Sequence, residues 1–174
     1  MTSLLVIGGA RSGKSRYAQS RAEAEARTEA RPLTPYFIAT AQAFDDEMRE
    51  RIKRHQDDRK DGWITIEAPI NLAEVITRWS TPSRVLLVDC LTLWTSNLLL
   101  GDHDIAAATT GLIQAIAVTR GPLILVANEV GWSIVPDNAL ARRFRDEAGI
   151  VNQRVAEAVS EVQLVAAGLP LKLK

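Results

Sequence analysis

Cysteine is almost missing from this sequence: Cys90 is the only one among 174 residues, so no internal disulfide and no multi-thiolate metal site is open to it. The composition fits a reducing compartment, with Cys90 as a small buried filler. Histidine is nearly as scarce, and His55 and His103, far apart in the chain, make no zinc-binding pattern with one cysteine. Net charge is absent too. Lys plus Arg number 21 against 21 Asp plus Glu, which leaves no broad positive field for a nucleic acid or an anionic membrane. Any anion must therefore be held by a local site. No long apolar run exists either: the richest stretch, Val85 to Leu100, is interrupted by Asp89, Thr92, Thr95, Ser96 and Asn97, too polar to span a bilayer. Nor do the opening residues carry the basic and apolar regions of a signal peptide, and a cytoplasmic protein is expected. What is present is an ordinary globular balance, 47% hydrophobic and 24% charged residues. The length suits a single domain over residues 1–174, and we see no repeat, low-complexity tract or linker.

Short apolar runs recur at Leu4 to Ile7, Tyr36 to Thr40, Trp63 to Ile66, Val85 to Asp89, Leu123 to Ala127 and Val162 to Ala166, separated by stretches with helical periodicity. The alternation predicts an α/β fold, a mostly parallel sheet with helices on its faces, because parallel neighbours need long crossovers. Leu4 to Ile7, Val85 to Val88 and Leu123 to Val126 are continuously apolar, as central strands should be, whereas Trp63 to Ile66 alternates like an edge. The segment Arg21 to Arg31 reads as a solvated helix with its following turn. Ligands of such folds sit at the carboxyl ends of strands.

Gly8-Gly9-Ala10-Arg11-Ser12-Gly13-Lys14-Ser15 matches G-x-x-x-x-G-K-[ST], follows an apolar strand and opens a helical stretch. In such a loop the glycines let backbone N–H groups turn toward phosphate oxygens and the helix amino terminus adds partial positive charge. Lys14 then reaches the β and γ phosphates, and Ser15 offers a hydroxyl to Mg²⁺. Val85-Leu86-Leu87-Val88-Asp89 has the form of a Walker-B strand whose acid serves Mg²⁺ or its water shell; an Asp at a strand end also serves as a helix cap. Glu67, closing another strand, either converges on the same edge or is merely solvated.

Asp45 to Arg59 carries acids first and bases later, which suits a helix dipole. Phe44, Met48, Ile52 and His55 share its inward stripe, and Arg51 and Arg59 lie a turn to either side of the histidine. Guanidinium groups there suit a phosphate and keep the imidazole neutral and nucleophilic; a histidine at the edge of the core accounts for the same pattern. His103, between Asp102 and Asp104, reads as a loop residue. Asn128-Glu129-Val130-Gly131 and the chain to Asn138 follow a central strand, where substrate is met. No Asn-Lys-x-Asp guanine-reading motif begins there. The helix from about Asn138 carries Arg142, Arg143 and Arg145, either a solvated basic face or a lid that closes on phosphates.

Together these residues resemble the bifunctional adenosylcobinamide kinase and adenosylcobinamide-phosphate guanylyltransferase family of cobalamin biosynthesis. The resemblance covers nearly the whole chain. It rests on the P-loop, Ile38-Ala39-Thr40, Asp45-Asp46-Glu47-Met48 through Arg51-Ile52 to His55, Asn128-Glu129-Val130-Gly131, Ile134-Val135-Pro136, Leu140-Ala141-Arg142, Phe144-Arg145-Asp146, Ala148-Gly149 and Val151-Asn152-Gln153-Arg154. It implies a P-loop NTPase-like, RecA-like fold and a histidine, matched by His55, that takes GMP covalently. It implies nucleotide contacts at Gly8 to Ser15, at Ala39, Thr40 and Ala41, at Gln56, Asp57, Asp58 and Arg59, and at Glu67 and Asp89. A trimeric assembly is implied as well. Familiar members have His-His where this chain has Arg54-His55, and Glu where it has Asp89.

The implied chemistry is phosphorylation of adenosylcobinamide by ATP or GTP, then transfer of GMP from GTP to adenosylcobinamide phosphate, giving adenosyl-GDP-cobinamide and pyrophosphate, both steps with Mg²⁺. Two alternatives remain open on the residues alone. A P-loop small-molecule kinase without nucleotidyl transfer would leave His55 structural, and a non-catalytic nucleotide-binding regulator would need a switch segment, for which no clear sequence exists.

Overall fold

The protein is described from a computed structural model, which defines residues 2–27, 32–42, 50 and 62–174. Strands β1 (Ser3–Gly8), β2 (Thr34–Ala39), β3 (Ile64–Glu67), β4 (Arg84–Asp89), β5 (Leu123–Asn128), β6 (Glu161–Ala166) and β7 (Leu169–Lys172) build a 7-stranded sheet in the order β3-β2-β4-β5-β1-β6-β7. All pairings are parallel except that of β6 with β7. The helices described are α1 (Lys14–Ala26), α2 (Leu72–Trp79), α3 (Leu91–Leu100), α4 (Ile105–Ala117) and α5 (Ala139–Ala158).

Period-two alternation sorts the strand residues between two cores. Leu4, Val6, Val85, Leu87, Ile124 and Val126 pack with Ala18 and Ala22 of α1 on one face. Leu5, Leu86, Val88, Leu123 and Leu125 pack on the other face with Leu72, Ile76, Trp94, Leu98, Leu112, Val151 and Val155 of the remaining helices. Both faces are thus dry, which is why β1, β4 and β5 read as unbroken apolar runs. Each fully buried aliphatic side chain contributes about 1.5–3 kcal/mol. The expected mostly parallel α/β sheet with helices on both faces is present, and β3 is an edge strand, with Ile64 43% exposed.

β7 was not foreseen. It is short, contains Pro170 and is exposed throughout, so it carries no burial signal, and its turn uses Ala167 (φ 52) and Gly168 (φ 80) rather than Asn-Gly. The helix expected over Asp45 to Arg59 lies outside the described residues except for Glu50. His103 is a loop residue, as its flanks suggest.

The ends of α5 are secured locally. Asn138 Oδ1 accepts the Ala141 N–H at 2.8 Å at the amino end. At the other end Lys174 Nζ donates to the carbonyls of Ala156, Glu157 and Val159 at 3.0, 2.9 and 2.7 Å.

Candidate active site

The P-loop leaves β1 at Gly8 and enters α1 at Lys14. Positive φ at Arg11 (56°) and Gly13 (94°) curls the chain back on itself, and Ser12 N–H closes the turn onto Gly9 O at 3.3 Å. Gly13 is the N-cap of α1 and makes no side-chain cap hydrogen bond, and the first turn holds no acid. A helix end without a side-chain cap, at the carboxyl edge of a parallel sheet, is built to receive an anion. Lys14 is buried, with Nζ donating to Gly9 O at 3.1 Å, so its charge lies along the loop. Ser15 follows on the first turn, half-buried. Two glycines are sterically required: a Cβ on Gly8 would meet Val165 O at 2.5 Å, and one on Gly13 would meet Gly168 Cα at 3.1 Å.

Register aligns the other candidates along the same edge. Ala39 of β2 stands between Glu67 of β3 and Asp89 of β4, and Asp89 pairs with Val126 of β5, the strand beside β1. Asp89 is half-buried, and the N-cap of α3 is Cys90, so Asp89 is not the cap of that helix. Glu67 is exposed. Thr40 is fully buried: its hydroxyl donates to Cys90 O at 2.7 Å and accepts from Cys90 N–H at 2.8 Å, while its carbonyl accepts from Asn97 Nδ2 at 2.8 Å. These bonds lock the end of β2 to the β4–α3 turn, and Ala41 follows half-buried. Burial, and then the charge of Asp89, push the Cys90 thiol up to about 11, which removes it as a nucleophile at neutral pH.

The third wall follows β5. Glu129 N–H donates to Gly8 O at 3.0 Å, Asn128 N–H to Thr92 Oγ1 at 2.7 Å, and Asn152 Nδ2 to Asn128 O at 3.2 Å. Arg142 is held by its own segment. Its guanidinium donates to Pro136 O at 2.9 Å and Asp137 O at 2.8 Å, while Arg145 pairs with Asp146 at 3.0 Å. No residue pattern announces these backbone partners, which depend on the path of the loop before α5. His55, Gln56, Asp57, Asp58 and Arg59 lie outside the described residues.

Residues 4–173 match the family described as cobinamide kinase / cobinamide phosphate guanyltransferase. The chain belongs to that family. Membership makes it a transferase. A Pseudomonas aeruginosa relative, named bifunctional adenosylcobalamin biosynthesis protein CobP, is 44% identical over 172 residues, covering 98% of this chain and 96% of its own. A relative from Escherichia coli, named bifunctional adenosylcobalamin biosynthesis protein CobU, is 40% identical over 186 residues, covering 98% of this chain and 99% of its own. The Salmonella typhimurium protein of the same name is 44% identical over 186 residues. Among solved structures, a Pyrococcus horikoshii OT3 protein from a structural study aligns with TM-score 0.54 over 99% of this chain and 86% of its own. At 10% identity it shows the fold alone. Among the described residues no helix is long and apolar enough to cross a membrane.

Proposed function

We propose that residues 1–174 act as one domain that phosphorylates adenosylcobinamide with ATP or GTP and then transfers GMP from GTP to the new phosphate, releasing pyrophosphate. The observation that carries this reading is the P-loop of a cobinamide kinase / guanyltransferase chain at an α1 terminus without a side-chain cap, with Lys14 laid along it and Asp89 closing β4 on the same edge. A triphosphate fits there, with Gly8 to Ser15 holding its oxygens and Ala39, Thr40, Ala41 and Glu67 flanking it.

Mg²⁺ suits the donor set. Ser15 and Asp89 offer hydroxyl and carboxylate oxygens, and no group of three or more His, Cys, Asp or Glu able to hold a metal occurs among the described residues. The ion would be completed by phosphate oxygens, as this cation prefers. When bound it offsets charge on the phosphates. Lys14 does the same from the protein side, and the helix end orients the phosphoryl group for the acceptor hydroxyl.

In the second reaction an unprotonated nitrogen of His55 attacks the α-phosphorus of GTP. An N–P bond forms, the bond from that phosphorus to the bridging oxygen breaks, and pyrophosphate leaves with the electron pair. A phosphate oxygen of adenosylcobinamide phosphate then attacks the same phosphorus, and the N–P bond electrons return to the imidazole. Gln56, Asp57, Asp58 and Arg59 hold the nucleotide beside it. Cytoplasmic location and a homotrimer complete the reading, with exposed Leu169 and Leu171 on one side of β7 supplying apolar surface for assembly.

The test is turnover. Incubation with adenosylcobinamide, GTP and Mg²⁺ should yield adenosylcobinamide phosphate and then adenosyl-GDP-cobinamide in chromatographic order. Accumulation of the phosphate alone supports the kinase-only alternative.

A further inference from the structure

An open trough of about 690 Å³ lies between α5 and the β1–β6 side of the sheet. Its floor is apolar, formed by Leu5, Ile7 and Val162, and its rim carries Glu129, Asn152 and Gln153. Trp132 also lines it, 74% exposed, and in the same loop Ile134 is 93% and Val135 63% exposed. Large apolar side chains left this open at the edge of a ligand site mark a binding surface.

We propose that this trough seats the corrin ring of the cobinamide acceptor, an inference that rests on the function proposed above. Continuity with the P-loop fixes the place. Ile7 on the floor directly precedes Gly8, and Glu129 on the rim bonds Gly8 O through its N–H at 3.0 Å. A ring held here has the carboxyl end of β1, from which the P-loop departs, at its edge. Chemistry fixes the occupant. A corrinoid has broad apolar faces fringed by primary amides, which the Leu5, Ile7 and Trp132 surfaces and the Asn152, Gln153 and Glu129 side chains match in kind.

Two variants test it. Trp132→Ala removes the exposed indole. Gly149→Leu, on the wall of the trough, places a side chain into open space, since a Cβ there meets nothing within 4 Å and leucine suits a helix interior. In steady-state assays of the full chain, each should raise KM for adenosylcobinamide at least tenfold, with KM for GTP within twofold and Tm not lowered. Unchanged KM for the corrinoid in both variants, while the wild type turns it over, overturns the trough and leaves the proposed function standing. Wild-type protein that never turns over the corrinoid overturns both. A changed sedimentation coefficient with corrinoid KM unmoved assigns the trough to a second copy of the chain and overturns the proposal.

Discussion

The N–H of Gly168, in the turn between β6 and β7, donates to the carbonyl oxygen of Ser12 in the P-loop at 2.8 Å. The Gly8–Ser15 loop is therefore braced from outside by a hairpin at the edge of the sheet. The approach is close enough that Gly13 and Gly168 nearly touch, and Gly8 lies under Val165 of the same hairpin. The shape of the loop is a tertiary property as well as a local one.

Gly8→Ala tests that bracing. A methyl group 2.5 Å from Val165 O must displace backbone, and overpacking of this kind costs about 1–3 kcal/mol. Thermal melting should show a lower Tm for Gly8→Ala, and Gly13→Ala should fall too, because its φ of 94° is strained for any L side chain. Wild-type melting in both contradicts the bracing.

Lys14→Ala removes the charge laid along the loop. Both half-reactions should lose kcat/KM for nucleotide by roughly 100-fold, the scale of one lost transition-state donor. The fold should persist. Circular dichroism with parallel kinetics checks this, and wild-type kinetics from the folded variant contradicts the P-loop assignment.

Asp89→Asn keeps the shape and removes one negative charge from the proposed Mg²⁺ site. Turnover should fall and the Mg²⁺ concentration for half-maximal rate should rise severalfold. An unchanged Mg²⁺ titration would make Asp89 structural.

Arg21 and Glu161 tie α1 to β6 through paired contacts at 3.1 and 3.2 Å. The Arg21 hydrogen bond holds the Glu161 carboxyl below its ordinary value of 4.5. A lowered folded-state pKa gives stability that is present above the ordinary value and is lost as pH falls through the lowered one. Melting temperature should therefore drop on acidification below about pH 4.5. Glu161→Gln should lower Tm at neutral pH and flatten that acid limb. A parallel acid limb in variant and wild type would contradict this.

Much of the fold was legible because burial on two faces leaves a direct imprint on sequence: β1, β4 and β5 are dry on both sides, and their residues say so. β7 was illegible for the converse reason, since it is exposed throughout and gains only a hydrogen-bonded neighbour. The P-loop could be read because its pattern is contiguous in the chain, although the hairpin that braces it is not. The bonding of Thr40 to Cys90 and of Arg142 to the carbonyls of Pro136 and Asp137 could not, because both depend on where separate segments meet. The trough under α5 was hidden for the same reason: Leu5 and Trp132 become neighbours only when β1, β5 and α5 assemble.

The central claim is that His55 takes GMP from GTP. The measurement is mass spectrometry of the full chain incubated with GTP and Mg²⁺, without corrinoid, and quenched in base, where a phosphoramidate survives. GMP should appear on the peptide containing His55 and be lost in acid. A single burst of pyrophosphate should accompany it, and His55→Asn should abolish label from α-labelled GTP while phosphorylation of adenosylcobinamide persists at least in part. GMP on Lys14 or His103, or no adduct at saturating GTP, contradicts the account.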